Sequence, residues 1–289
     1  MVGMEYDKRN KKREDTTMYD NNPNVMEDRG YIYGKWMTFD NTWTIPFGGV
    51  YCYLLVGEEK ALLIDTAYGV GNLRQFVEGI TDKPVMVVNT HGHFDHTGGN
   101  AWWEEVYLSE EASQDAKKAF SPEMQADFDA KPYPDYKMNI VGDGYEFDLG
   151  GRKVEVIRIG SHHPGSIALL DHGARLLFTG DELEAGQVLL FDHVKDRVPK
   201  HKANMEKLMA REAEFDMICP AHNGTPLNKK YLHDYHTLDE QFLAGTATVM
   251  PNTAGYGYPP VPGKMSEGAE QERIQYGGAS FCYNKPEAE

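Results

Sequence analysis

The sequence is short of cysteine, has no excess of basic residues and contains no long apolar run, and each shortage closes off a class of protein. Three cysteines occur in 289 residues, Cys52, Cys219 and Cys282, far apart and without CxxC spacing. An odd number so dispersed argues against a disulfide framework and suits thiols kept reduced. The 45 Asp and Glu outnumber the 29 Lys and Arg, leaving a net charge of −16. Such a surface repels phosphate backbones, which counts against a nuclease that must grip RNA or DNA, and no basic arm is appended. No stretch approaches the ~18–20 consecutive apolar residues that a membrane helix requires. The opening residues, MVGMEYDKRNKKRED, are charged and lack the apolar segment of a secretory signal. The expectation is a cytoplasmic protein acting on a small molecule, with neither nucleic acid nor membrane as partner. Nothing in the sequence speaks to its oligomeric state.

Against these absences stands a hydrophobic content of 40 %, enough for a sizeable core. Residues 1–30 read as a polar N-terminal extension and 31–289 as one domain. Tyr51 to Val56 and Ala61 to Asp65 read as strands of a hairpin turned at Gly57-Glu58-Glu59-Lys60. Leu73, Phe76, Val77 and Ile80 have helical spacing. Pro84 to Val88 is a continuous apolar run, as expected of a buried strand. A helix is expected over 109–130, ended by Pro132 and Pro134. The scheme then repeats, with strands at 154–159, 175–178 and 217–219, helices near 201–213 and 229–245, and a last strand at 279–283. ALLIDT at 61–66 and RLLFTGD at 175–181 hint at an internal duplication. The Gly-, Pro- and Tyr-rich stretch 246–270 reads as a loop or an aromatic lid.

The chemistry concentrates in His91-Gly92-His93-Phe94-Asp95-His96, followed by Thr97-Gly98-Gly99. Three imidazoles and a carboxylate lie within six residues, directly after a buried strand. In extended backbone, residues two apart project to the same side, so His91 and His93 can share one ion while Asp95 and His96 turn to a neighbouring position. Neutral imidazole and carboxylate are donors that zinc and similar divalent ions prefer. A histidine-rich surface loop would have no reason to sit between an apolar strand and a double glycine.

On these residues the chain resembles the metallo-β-lactamase superfamily, whose signature is HxHxDH followed by a distant His, an Asp and a last His. His162 stands in SHHPGS, similar to the family's GHTPGS turn; Asp181 stands in LLFTGDEL, similar to its strand-then-GD element; His222 stands in CPAHNG, where PGHG is usual. The resemblance covers about residues 45–225. It implies an α/β fold, the four-layer αββα sandwich with a metal site at one edge. It also implies two divalent ions, zinc foremost, with iron or manganese as alternatives. His91, His93 and His162 would hold one ion, Asp95, His96 and His222 the other, and Asp181 would bridge them. His163 follows His162 directly and competes for its role, although alignment on Pro164-Gly165-Ser166 favours His162. Ala221 departs from the usual glycine before the last His. Asp65, at a strand end, would support the metal loop through hydrogen bonds.

The resemblance further implies a metallohydrolase in which a hydroxide bridging the ions attacks a thioester, lactone or ester carbonyl, with Asp95 as the catalytic residue that orients it. No GxSxG motif offers another nucleophile. Two alternatives use similar ligands: a zinc β-lactamase, and a sulfur dioxygenase with a single iron. Of the remaining histidines, His172, His233 and His236 read as surface residues. His193 and His201, in the segment after Asp181, are candidates to contact substrate. Trp102 and Trp103 read as core residues at the start of a helix.

Overall fold

β-branched and aromatic residues dominate Thr42 to Val56, and the glycine pair at 48–49 divides them into an antiparallel hairpin. A computed structural model describes residues 33–117, 135–191, 193–252 and 271–284. The expected N-terminal extension, the 109–130 helix beyond residue 117 and most of the 246–270 lid lie outside them. The described residues fall into two compact units, one within 33–141 together with Phe147–Lys153, the other Gly142–Glu146 together with residues within 154–284.

The first unit is built on a seven-stranded sheet ordered β1-β2-β3-β4-β5-β6-β7. Its strands are β1 (Trp36–Phe39), β2 (Thr42–Phe47), β3 (Val50–Val56), β4 (Ala61–Ile64), β5 (Val85–Val88), β6 (Glu105–Leu108) and β7 (Lys137–Ile140). β1 to β4 pair antiparallel and β4 to β7 parallel. The β3–β4 hairpin turns where expected, closed by Gly57 N–H donating to Lys60 O at 2.8 Å. All four residues of β4 are buried, which accounts for its uniformly apolar sequence. Helix α1 (Leu73–Glu78) connects β4 to β5. Asn72 caps it by accepting from Gln75 N–H at 2.9 Å, and Leu73 and Val77 form its buried stripe.

After β5 come a single helical turn, α2 (Phe94–Thr97), a 3-10 turn at Asn100–Trp102, and β6. Trp102 and Trp103 are buried as expected, but the structure corrects their setting: Trp103 is already extended and leads into β6 rather than a helix. Beyond β6, α3 (Glu110–Ser113) is capped by the Ser109 hydroxyl.

The boundary between the units falls within β8 (Glu146–Asp148), and most of the second unit comes after it in sequence. Its strands β9 (Lys153–Arg158), β10 (Ile167–Asp171), β11 (Leu176–Gly180) and β13 (Met217–Pro220) lie in the order β13-β11-β10-β9. β10 is antiparallel to β9 and β11, and β11 is parallel to β13. The C-terminal ends of β9, β11 and β13 therefore lie at one edge. A further sheet orders β12 (Val188–Phe191), β16 (Ala279–Asn284), β15 (Gln271–Tyr276) and β14 (Met250–Pro251).

Helix α4 (Val194–Met209) buries Val194, Val198, His201, Met205 and Leu208, a three-and-four spacing that makes one face. It starts well before the expected position at 201 and contains Pro199. Helix α5 (Lys230–Leu243) contributes Leu232, Tyr235 and Leu238 to the same core as Ile157, Leu170, Leu177 and Phe281. Each such side chain contributes about 1.5–3 kcal/mol when withdrawn from water. No helix among the described residues is long and apolar enough to cross a membrane.

The double glycine after α2 has a packing reason. A Cβ on Gly98 would stand 2.2 Å from the Tyr68 carbonyl carbon and 2.5 Å from Ala67 O, both backbone atoms. Gly98→Ala must therefore push two backbone segments apart, and we expect a loss of at least about 2 kcal/mol, measurable as a lowered urea midpoint at unchanged slope.

Candidate metal centre

Both units place their polar residues just beyond the ends of buried strands. In the first unit, β4 ends at Ile64 and its parallel neighbour β5 at Val88, so Asp65 and the Asn89-Thr90-His91 segment emerge side by side. Asp65 takes a left-handed backbone conformation, φ 62°, which Asp tolerates better than most residues. Its carboxylate accepts from Thr90 N–H at 2.7 Å, from the Thr90 hydroxyl at 2.8 Å and from His96 Nδ1 at 2.9 Å. A carboxylate can only accept, so the His96 proton sits on Nδ1 and Nε2 presents a lone pair. The Thr90 hydroxyl, having given its hydrogen to Asp65, accepts from His91 Nδ1 at 3.1 Å, and this leaves His91 Nε2 as a donor as well.

Those donors gather within the unit. His91 Nε2 faces His93 Nδ1 at 2.9 Å, and His96 Nε2 lies 3.6 Å from Asp95 Oδ2. The His91 ring centroid is 4.6 Å from that of His93 and 4.1 Å from that of His96. The carbonyl of His96 is held from two sides, by Thr66 N–H at 2.9 Å and Asn89 Nδ2 at 2.8 Å. Asn89 and Asn100 in turn bond each other reciprocally. The loop is thereby fixed by buried amides as well as by Asp65.

The second unit builds a matching set. β9 delivers Ser161-His162, β11 delivers Asp181 and β13 delivers His222. His162 Nδ1 donates to Leu189 O at 2.8 Å, again an acceptor-only partner, so its Nε2 also presents a lone pair. Asp181 Oδ2 lies 3.6 Å from His162 Nε2 and 3.4 Å from His222 Nε2. Two donors on one tetrahedral ion, each about 2.0–2.1 Å from it, stand about 3.3–3.4 Å apart. The separations lie around that value, 2.9 and 3.6 Å in the first unit and 3.4 and 3.6 Å in the second, and imidazole with carboxylate is a zinc-type donor set, so the residues present fit divalent metal. His163 instead uses Nδ1 to accept from Gly165 N–H at 2.9 Å within its own turn, in keeping with His162 as the donor. Ala221 is buried and its N–H donates to Gly180 O at 3.0 Å, so the alanine is accommodated.

Residues 45–222 match the profile of the metallo-beta-lactamase superfamily, more than half of the chain. The chain belongs to the metallo-beta-lactamase superfamily. It is 26 % identical over 198 residues to the acyl-coenzyme A thioesterase MBLAC2 of Gallus gallus, a match covering 59 % of this chain and 71 % of that protein. It is 30 % identical over 178 residues to a hydroxyacylglutathione hydrolase of Ruegeria pomeroyi, covering 61 % of this chain and 63 % of the relative. Among solved structures, a metallo-beta-lactamase from Pontibacter korlensis aligns with TM-score 0.57 at 19 % identity, over 72 % of this chain and 99 % of that one. The metallo-beta-lactamase fold is thus established, as its mixed α/β architecture and several sheets indicate, and the protein is an enzyme of that fold.

The other histidines sort as follows. His172 is exposed in the β10–β11 turn and His233 is exposed on α5, while half-buried His236 bonds Glu206 from the same helix. His193 is exposed at the N-terminus of α4. His201 is fully buried between Asp239, 2.9 Å from Nδ1, and Glu182 O, 2.8 Å from Nε2, so it serves the interior of its unit. Sequence reading did not single out Thr90, Leu189 O or Glu182. Thr90, adjacent to His91, and Glu182, adjacent to Asp181, had a positional signal; the Leu189 carbonyl had none.

All three cysteines are buried free thiols. Burial pushes Cys52 well above the usual thiol range, with the Asp65 and Asp95 carboxylates adding to it. Burial likewise pushes Cys219 up to about 12 and Cys282 up to about 11. A thiolate nucleophile at neutral pH is therefore disfavoured among them. Alkylation of the native protein at pH 7 should be slow and should accelerate only on unfolding; rapid labelling of Cys52 would contradict the burial described.

Asp65→Asn tests the tautomer argument. An amide NH2 facing His96 Nδ1 would turn that nitrogen into the acceptor and move the proton to Nε2. We expect zinc affinity to fall about 10–100-fold in a folded protein, with the change visible in 15N imidazole shifts.

Proposed function

We propose that the donor sets of the two units act together on a pair of divalent ions, zinc foremost with iron or manganese as alternatives, to hydrolyse a carbonyl thioester or ester of a small molecule in the cytoplasm. His91, His93 and His162 would hold one ion; Asp95, His96 and His222 the other; Asp181 would serve both. The observation that carries this reading is the tautomer arrangement: in both units an anchored Nδ1 turns Nε2 into a metal donor. Each set is incomplete alone, and the superfamily profile spans both.

When bound, such ions supply Lewis acidity, which brings water to a nucleophilic state near neutral pH and polarises a carbonyl. The chain's own contribution is placement and proton handling. Thr90 and Asp65 orient His91 and His96, and Leu189 O orients His162. Asp95, at the N-terminal turn of α2 and only slightly exposed, can accept a hydrogen bond from incoming water, hold its proton and pass it toward the leaving group. Thioesters are the favoured class because one relative is named as an acyl-coenzyme A thioesterase and another as a hydrolase of hydroxyacylglutathione.

Elemental analysis after growth with zinc, iron or manganese should find divalent metal bound, and a screen of thioesters, lactones and β-lactams should find hydrolysis strongest on thioesters. Asp181→Ala should lose metal and lower kcat/KM by at least on the order of 100-fold, more than the loss of an outer hydrogen-bond partner would cost. A protein that never holds metal, or an Asp181→Ala variant with full metal and full activity, sinks this function. Oxygen consumption with one iron per chain would favour the dioxygenase chemistry instead.

A further inference from the structure

Directly after Asp181, the Glu182 side chain turns inward and is fully buried. Burying a carboxylate costs several kcal/mol unless donors compensate it. Here three donors do so, and all three belong to the turn that carries His162. Oε1 accepts from Ser161 N–H at 2.7 Å and from His162 N–H at 2.8 Å, and Oε2 accepts the Ser161 hydroxyl. The far side of the Ser161–His162 peptide is held too, because Arg197 Nη1 donates to Ser161 O at 2.9 Å, and also to His162 O of the next peptide. Glu182 is itself braced from behind: its carbonyl accepts from His201 Nε2 at 2.8 Å, and His201 Nδ1 bonds the buried Asp239 carboxylate.

The His162 ring therefore has two fixed points. Leu189 O sets its rotation, and Glu182 sets the backbone from which it hangs. Because Glu182 is the next residue after Asp181, one side chain also ties the two strand ends together. An apolar residue would fill this space at less desolvation cost, but it would leave two buried N–H groups without acceptors.

We propose that Glu182 is the positioning residue of the His162 turn, holding the His162 Nε2 and Asp181 carboxylate donors at the separation a shared ion needs. This rests on the metal-binding reading given above. The role is hydrogen-bond geometry rather than charge, and the two can be told apart. In Glu182→Gln the amide oxygen can take the Oε1 place, and the NH2 can donate to the Ser161 hydroxyl, which rotates to accept. In Glu182→Leu all three bonds are lost at similar volume.

The test measures zinc affinity by competition with a chromophoric chelator, and the visible spectrum of the protein at saturating cobalt, for the parent and for Glu182→Leu, Glu182→Gln and Ser161→Ala. Expected are a zinc affinity at least about 10-fold weaker with altered cobalt bands for Glu182→Leu, recovery to within about 3-fold with parental bands for Glu182→Gln, and a loss of about 3-fold for Ser161→Ala, which removes one bond. Parental affinity in Glu182→Leu overturns the proposal, and so does a Glu182→Gln variant as weak as the leucine variant. Should Glu182→Leu fail to fold, the other two decide: unchanged affinity in Ser161→Ala, or a weak Glu182→Gln, overturns it. A parent that binds neither zinc nor cobalt overturns the metal-binding reading itself, an outcome distinct from all of these.

Discussion

An imidazole can give a lone pair to a cation only when its other nitrogen carries the proton, and in a buried place that proton needs an acceptor. Much of what surrounds the histidines follows from this. His96 gives its Nδ1 proton to Asp65, His91 to Thr90 and His162 to Leu189 O. Asp65 carries the heaviest load, because the Thr90 hydroxyl can accept from His91 only after donating its own hydrogen to Asp65. One carboxylate thus sets two tautomers, directly for His96 and by relay for His91. Its place at the end of β4, beside the end of β5, is what lets a single side chain reach both.

The same requirement explains why the strands end where they do. β4, β10 and β11 are buried along their whole length, and they admit polar side chains only near their C-terminal ends, Asp171 in β10 and Thr179 in β11. Parallel neighbours then bring their C-terminal ends to one edge: β4 with β5 in the first unit, β11 with β13 in the second. β4 and β11 each release an aspartate at that point, Asp65 and Asp181. Their duties differ. Asp65 accepts hydrogen bonds inside the protein, whereas Asp181 stands between two imidazole nitrogens.

How far these features were legible depended on whether side chains or backbone carried them. The HxHxDH segment was plain because its donors are contiguous and follow the apolar strand β5. The β3–β4 hairpin was legible for a similar reason, two apolar runs with glycine at the turn. The Leu189 carbonyl that orients His162 was not, since a backbone acceptor leaves no trace in residue type. β6 was missed because four residues, Glu105 to Leu108, are too few to show a period, and the paired tryptophans before it resemble a helix start. α4 was placed too late because Pro199 lies inside a helix whose buried stripe, Val194, Val198, His201, Met205 and Leu208, runs on past it.

Three buried carboxylates lie at or behind the donor sets: Asp65, Glu182 and Asp239. Each is costly to bury, and each is compensated by protein groups: Thr90 and His96 for Asp65, Ser161 and His162 for Glu182, His201 for Asp239. The anchors of His96 and His162 are thus themselves held by buried hydrogen bonds. A ring held in this way has less conformational freedom left to lose when it engages a ligand. That is the physical advantage of surrounding a few imidazoles with so many buried hydrogen-bond partners. It is also why the less obvious residues behind the histidines, rather than the histidines alone, are the ones to examine when asking what sets the geometry of the candidate metal centre.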